Sequence, residues 1–193
     1  ALGLPTDKVI IGMVSVLSSW KGVDLFLEAI APLQTRTDLH FLICGDALYR
    51  TGDQANYKEE LVQKAQQLGL EESLSWIPFQ ADVAPVYSAL DILVHASKRP
   101  EPFGRVISEA RSCGCAVIAT AGGGVLEQIE DRVTGRLVPM QDAEALGTAI
   151  EALTADTSLR EQLQTAGKEW VERELSKDRF DKQLSEIFLY CSP

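Results

Sequence analysis

Histidine and methionine are scarce in this chain, two of each among 193 residues. The two histidines, His40 and His95, both lie in apolar runs and read as packing residues. The four cysteines (Cys44, Cys113, Cys115 and Cys191) contain no C-x2-C knuckle, and the one C-x-C is too tight for a typical zinc site. They read as reduced, mostly buried thiols of a cytoplasmic protein. Basic charge is short as well: 18 Lys and Arg against 28 Asp and Glu leave a net charge of −10, which argues against nucleic acid as a general partner. An anionic small molecule stays compatible with that charge, because a few cations and helix N-termini bind one inside an acidic protein. Long apolar runs are missing too. None approaches the ~20 residues of a membrane span, and the opening "ALGLPTDKVIIG" reads as a Pro-containing approach to a strand, not a signal peptide. Ser18 and Ser19 have no evident His/Asp partner, so nucleophilic serine chemistry is unsupported. Trp20, Trp76 and Trp170 are read as core or rim residues.

What the chain does have is alternation. Strand-like apolar runs at 8–16, 39–45, 73–79, 91–97, 115–120 and 134–140 are separated by helical patterns at 22–33, 55–70, 82–90, 104–113 and 125–130. Asp142 predicts an N-cap for "AEALGTAIEAL", and 156–190 is helical pattern throughout. Apolar strands alternating with helices imply a parallel sheet covered on both faces, a doubly wound α/β fold with a C-terminal helical extension. The length suits one domain, or one half of a two-lobed enzyme.

Such folds bind ligands at the carboxyl ends of their strands. That rule selects the loops 17–22, 45–54, 78–82, 97–104 and 120–125. Lys21 precedes a helix start, where an ammonium can neutralise phosphate. In "KRPEPFG" the prolines stiffen the backbone, and Gly104 thins it before a helix whose first amides, on Arg105 and Val106, favour an anion. Glu101 before that turn can accept from hydroxyls, and Glu109 within the helix from a ribose diol. "AGGGV" at 121–125 looks like a phosphate cradle, with Glu127 facing the same cleft. Glycines in the G-x-G-x-x-G order do not follow the first strand, so a nicotinamide cofactor is weakly supported.

These segments also carry a resemblance. "RPEPFGRVISEARSCGCAVIAT" with "AGGGVLEQI", "TGRLVP" and "DAEALGTAI" resembles the C-terminal half of family-4 retaining glycosyltransferases of the GT-B fold, with Glu101 and Glu109 as the E-x7-E signature. "WKGVDLFLEAI", "LICGD", "YKEELVQKAQQLGLEESLSWIPF" and "YSALDILVHAS" extend the likeness over nearly the whole chain. The resemblance implies a Rossmann-like donor-binding lobe, residues 1–193 forming a single domain, that holds a nucleotide-sugar without a metal ion or other cofactor. UDP-glucose is the expected donor. Lys21 and Glu101 are the implied catalytic residues. Glu109 would bind the ribose, Glu101 with the backbone of Phe103 and Gly104 the sugar, and Lys21 with the amides of Arg105 and Val106 the diphosphate. The base would lie near Phe79.

An acceptor-binding N-terminal half is implied as the partner, so the chain alone is expected to bind donor without transfer. The resemblance further implies a hexosyltransferase of polysaccharide or glycolipid synthesis, cytoplasmic and held at the membrane periphery through the other half. The sequence carries no reading of oligomeric state. Two positions depart from the family pattern: Val16 stands where an arginine is usual, and Pro78 where glycine is common. Val16 keeps open the alternative of an inactive nucleotide-sugar-binding module or sensor.

Overall fold

The computed structural model describes residues 2–47 and 56–182. Six strands, β1 (Val9–Val14), β2 (Leu39–Cys44), β3 (Leu74–Ile77), β4 (Ile92–His95), β5 (Ala116–Thr120) and β6 (Arg136–Val138), form one sheet in the order β3-β2-β1-β4-β5-β6. Every pairing is parallel. The strands are mostly apolar on both sides because both faces are covered, and alternate residues enter opposite layers. Ile11 and Met13 pack with Phe26, Phe41 and Ile150 under α1 (Val23–Ile30), α2 (Tyr57–Gln67) and α6 (Ala143–Ala155). Ile10 and Leu93 pack on the other side with Tyr87, Ile107 and Val125 of α3 (Ala84–Tyr87), α4 (Arg105–Ser112) and α5 (Val125–Gln128). Phe26 and Phe41 meet edge to face, with ring centroids 6.4 Å apart. The doubly wound α/β reading therefore holds.

The chain builds outward from β1 to β3, then returns to place β4 on the other side of β1. Consecutive crossovers diverge at that point and leave a crevice beyond the carboxyl ends of β1 and β4. Asp142 caps α6 as its sequence predicts, its Oδ1 accepting from Ala145 N at 2.8 Å. Asp156 does the same for α7 (Thr157–Glu174) through Leu159 N at 2.9 Å.

The helical stretch expected over 156–190 is not continuous. It stops after Glu174, resumes over 177–182, and lies outside the described residues from 183 on, Cys191 included. α7 packs on the edge of the domain opposite the crevice: Gln164 Nε2 donates to the carbonyl of Asp91, just before β4, at 3.2 Å. Arg111, wholly buried, ties this end together. It donates to the carbonyls of Gln128 and Thr134 and lies over the Trp170 ring. Burial lowers its pKa to about 10.

Candidate functional site

The crevice consists of two adjoining cavities. The outer one, about 390 Å³, is lined by Cys44, Asp46, Phe79, Tyr87, Arg105 and Glu109 among others. The inner one, about 160 Å³, is lined by Lys21, His95 and Ser97. Val14, Ser15, Val16 and Val106 line both and form the wall between them. A larger hollow of about 560 Å³ between β6 and α6 contains none of the site residues read from the sequence.

Glu101 lines neither cavity, but it is held by three residues of the inner one: its Oε2 accepts from Lys21 Nζ at 2.8 Å and from Ser97 Oγ at 3.1 Å, and lies 3.3 Å from His95 Nε2. Burial on its own would raise the Glu101 pKa. Hydrogen bonds from His95 and Lys21, the Lys21 charge and the Ser97 hydroxyl outweigh it and hold the carboxyl at about 2. Lys21 Nζ also lies over the Trp20 ring, 4.0 Å from its centroid. In the outer cavity Glu109 accepts from the Tyr87 hydroxyl at 2.9 Å and from Arg105 at 3.1 Å, one turn back along α4. Tyr87 is 1 % exposed, and burial first, then the Glu109 bond and charge, push its pKa up.

α4 begins after Gly104, and its third amide, Ile107 N, returns to the Gly104 carbonyl at 2.9 Å. The amides of Arg105 and Val106 have no partner among the described residues and give that end of the crevice donors for an anion.

The structure thus gathers Lys21 with Glu101, and Arg105 with Glu109, and puts Phe79 on the rim, 57 % exposed. Phe103 and Gly104 line neither cavity, and the Phe103 carbonyl already accepts from Gln128 Nε2. Glu127 is exposed and lines neither cavity; its neighbour Gln128 is the residue turned inward.

The glycine run, read as a phosphate cradle, also receives the Glu101 loop on its backbone: Gly124 N donates to the Glu101 carbonyl at 2.8 Å, and a Cβ on Gly123 would lie 2.2 Å from that same oxygen. His95, read as a packing residue, is buried as expected but belongs to the site. Its position as the last residue of β4, at the carboxyl end, was the signal. His40 does pack, with its Nε2 2.8 Å from Ser75 Oγ. Tyr87 and Ser97 were missed altogether. The predicted 45–54 loop reaches the outer cavity through Gly45 and Asp46; residues 48–54 of it lie outside the described residues.

Residues 1–170 match the model of the family "Glycosyl transferases group 1". The chain belongs to that family. A D-inositol 3-phosphate glycosyltransferase of Salinispora arenicola is 31% identical over 169 residues, 84% of this chain and 37% of that protein. Among solved structures, Anabaena Alr3699/HepE in complex with UDP-glucose superposes with a TM-score of 0.86 at 32% identity, over 95% of this chain and 49% of that one. The C-terminal domain of a group 1 glycosyl transferase, LpcC from Francisella tularensis, superposes at 0.78 with 32% identity, covering 88% and 87% of the two chains. This group 1 glycosyl transferase chain therefore has the architecture of a GT-B C-terminal domain, and it spans about half the length of HepE.

Proposed function

We propose that the chain is the donor-binding domain of a family-4 retaining glycosyltransferase that takes a UDP-sugar, UDP-glucose foremost, and hands its hexose to an acceptor in polysaccharide or glycolipid synthesis. The observation that carries this reading is the pair of adjoining cavities at the β1/β4 crevice: the outer one is lined by the pair Glu109 and Arg105, and the inner one by Lys21, whose ammonium is paired with Glu101. A ligand with hydroxyls at both ends and a diphosphate between them matches that order. The UDP-glucose complex of HepE supports it.

In this reading the base lies against Phe79 and the ribose diol donates to Glu109. The free amides at the start of α4, with Lys21 and Arg105, take the diphosphate, and the sugar donates to Glu101. Charge grows on the diphosphate as the anomeric C–O bond breaks, so fixed donors aimed at it lower the barrier more than they tighten ground-state binding. These cations supply the neutralisation, and the proposal calls for no metal. The acceptor would be held by a second domain, corresponding to the part of the relatives that this chain does not span, and peripheral membrane attachment would come through that domain. The present chain alone would bind donor without transferring sugar.

A second reading, a nucleotide-sugar-binding module without transfer, is favoured by one feature: Val16, in place of the family's arginine, lines both cavities and offers no charge. Calorimetric titration with UDP-glucose, GDP-mannose, ADP-glucose and NAD, on wild type and Glu109→Ala, tests the proposal. Saturable binding of one sugar-nucleotide, weakened about tenfold or more by the substitution, is expected. Binding of none, or of NAD alone, overturns it. Joining the chain to an acceptor domain and assaying transfer separates enzyme from module.

A further inference from the structure

We infer that His95 and Ser97 are positioning residues that lock one oxygen of Glu101, so that Lys21 can leave for a diphosphate while the other oxygen stays free for a sugar hydroxyl. The inference rests on the donor-domain reading above. All the hydrogen bonds to the Glu101 side chain land on Oε2, and Oε1 accepts none among the described residues.

The directions of these bonds follow from the chemistry of the groups. A carboxylate has no proton to give, so His95 Nε2 carries the ring proton and Ser97 Oγ–H points at Oε2. Ser97 Oγ, 3.2 Å from Nε2, then accepts from the ring. The triangle has one consistent arrangement. His95 Nδ1 has no partner among the described residues, so the ring is held to this cluster through Nε2.

The donors differ in how firmly they are held. His95 is 4 % exposed and pairs in register with Ala119 of β5. The Ser97 carbonyl accepts from Thr120 Oγ1 at 2.8 Å, which fastens that loop to the end of β5. Lys21, by contrast, reaches Glu101 with a long, half-buried side chain from the turn at Ser19–Lys21. A diphosphate in the crevice competes with Glu101 for that ammonium. Were Lys21 the only donor, its departure would leave a nearly buried carboxylate unpaired, and the group would turn away or take up a proton. With His95 and Ser97 it keeps two fixed donors and its orientation. The charged or titratable side chains facing Glu101 are Lys21 from the turn and His95 from β4; the glycine loop meets it with backbone alone, and neighbouring Lys98 is engaged by Asp24.

The test follows the Glu101 carboxyl by NMR in the ligand-free chain, and UDP-glucose affinity by calorimetry, in wild type, Lys21→Met, His95→Leu, His95→Gln and Ser97→Ala. The Glu101 midpoint is expected to stay below the usual carboxylate range in Lys21→Met. It should rise in His95→Leu and Ser97→Ala, and partly recover in His95→Gln, whose amide restores a donor. UDP-glucose affinity is expected to fall about tenfold in His95→Leu and to recover in His95→Gln. A midpoint that follows Lys21 alone, or wild-type affinity in His95→Leu, overturns the inference. If wild type does not take UDP-glucose, it is the donor reading that fails; the titration needs no ligand and still decides the lock. Ser97→Ala removes one hydroxyl and keeps the test alive if the histidine variants do not fold.

Discussion

Replacing Gly123 by alanine tests how the glycine loop builds the site. Gly123 has a φ of +64°, so alanine there incurs the left-handed penalty of about 1–2 kcal/mol. It also meets a wall: the new Cβ would lie 2.2 Å from the Glu101 carbonyl oxygen and 2.9 Å from its nitrogen. A carbon–oxygen contact needs about 3.0 Å or more, so the Glu101 backbone must retreat by roughly 0.8 Å. The Ser97 and His95 contacts to Glu101, at 3.1 and 3.3 Å, are already near the limit of hydrogen bonding and would not survive that shift. Gly114 is the matched control. Its φ is +88°, yet a Cβ there meets nothing within 4 Å, so Gly114→Ala isolates the conformational penalty. The expected result is a melting-point drop of roughly 2–8 °C for Gly114→Ala with UDP-glucose affinity unchanged. Gly123→Ala should show a larger drop and about a tenfold or greater loss of affinity. Calorimetric melting and titration of both variants give the comparison. Equal behaviour would refute the claim that close approach, and not φ alone, demands glycine at 123.

Tyr87→Phe removes the hydroxyl that holds Glu109. Because Glu109 is a third exposed and can rehydrate, stability should fall by only about 1 kcal/mol in denaturant titrations, while donor affinity falls several-fold. Wild-type affinity in that variant would remove Glu109 from the donor site. For Glu101 the folded carboxyl titrates at about 2, below the ordinary 4.5, so its stabilisation is present above the ordinary value and is lost as pH falls toward 2. Glu101→Gln should therefore flatten the acid limb of the stability curve over that window and leave the rest of the profile unmoved. Arg111→Met leaves the Gln128 and Thr134 carbonyls without their buried donor, and a loss of about 2–4 kcal/mol is expected with donor binding retained, since Arg111 lies at the far end of the sheet. An unchanged melting point would refute that role.

Much of the fold was legible because it is written in local patterns. Apolar runs of four to six residues mark strands wherever they lie, since burial on both faces demands it, and Asp142 announces a helix start through a bond to an amide three residues on. The carboxylates also stood out: Glu101 precedes a glycine-started helix and Glu109 lies within it, and that arrangement is contained within ten residues. The ends of the elements were less legible. The 82–90 helix narrowed to Ala84–Tyr87, and the helical tail broke at Leu175 because neither feature is governed by periodicity alone.

Alternation, capping and the E-x7-E spacing were thus determined by the sequence itself, since each depends on residues a few positions apart. Tertiary structure decided which donors surround each carboxylate. Lys21 meets Glu101 across 80 residues because β4 returns to lie beside β1, and Tyr87 meets Glu109 because α3 and α4 share one face of the sheet. It also decided that the glycine run serves the Glu101 loop and that His95 is a donor as well as a packed ring. Such partners are brought together by strand order, which fixes the distance between remote segments and leaves no periodic trace in the segments themselves.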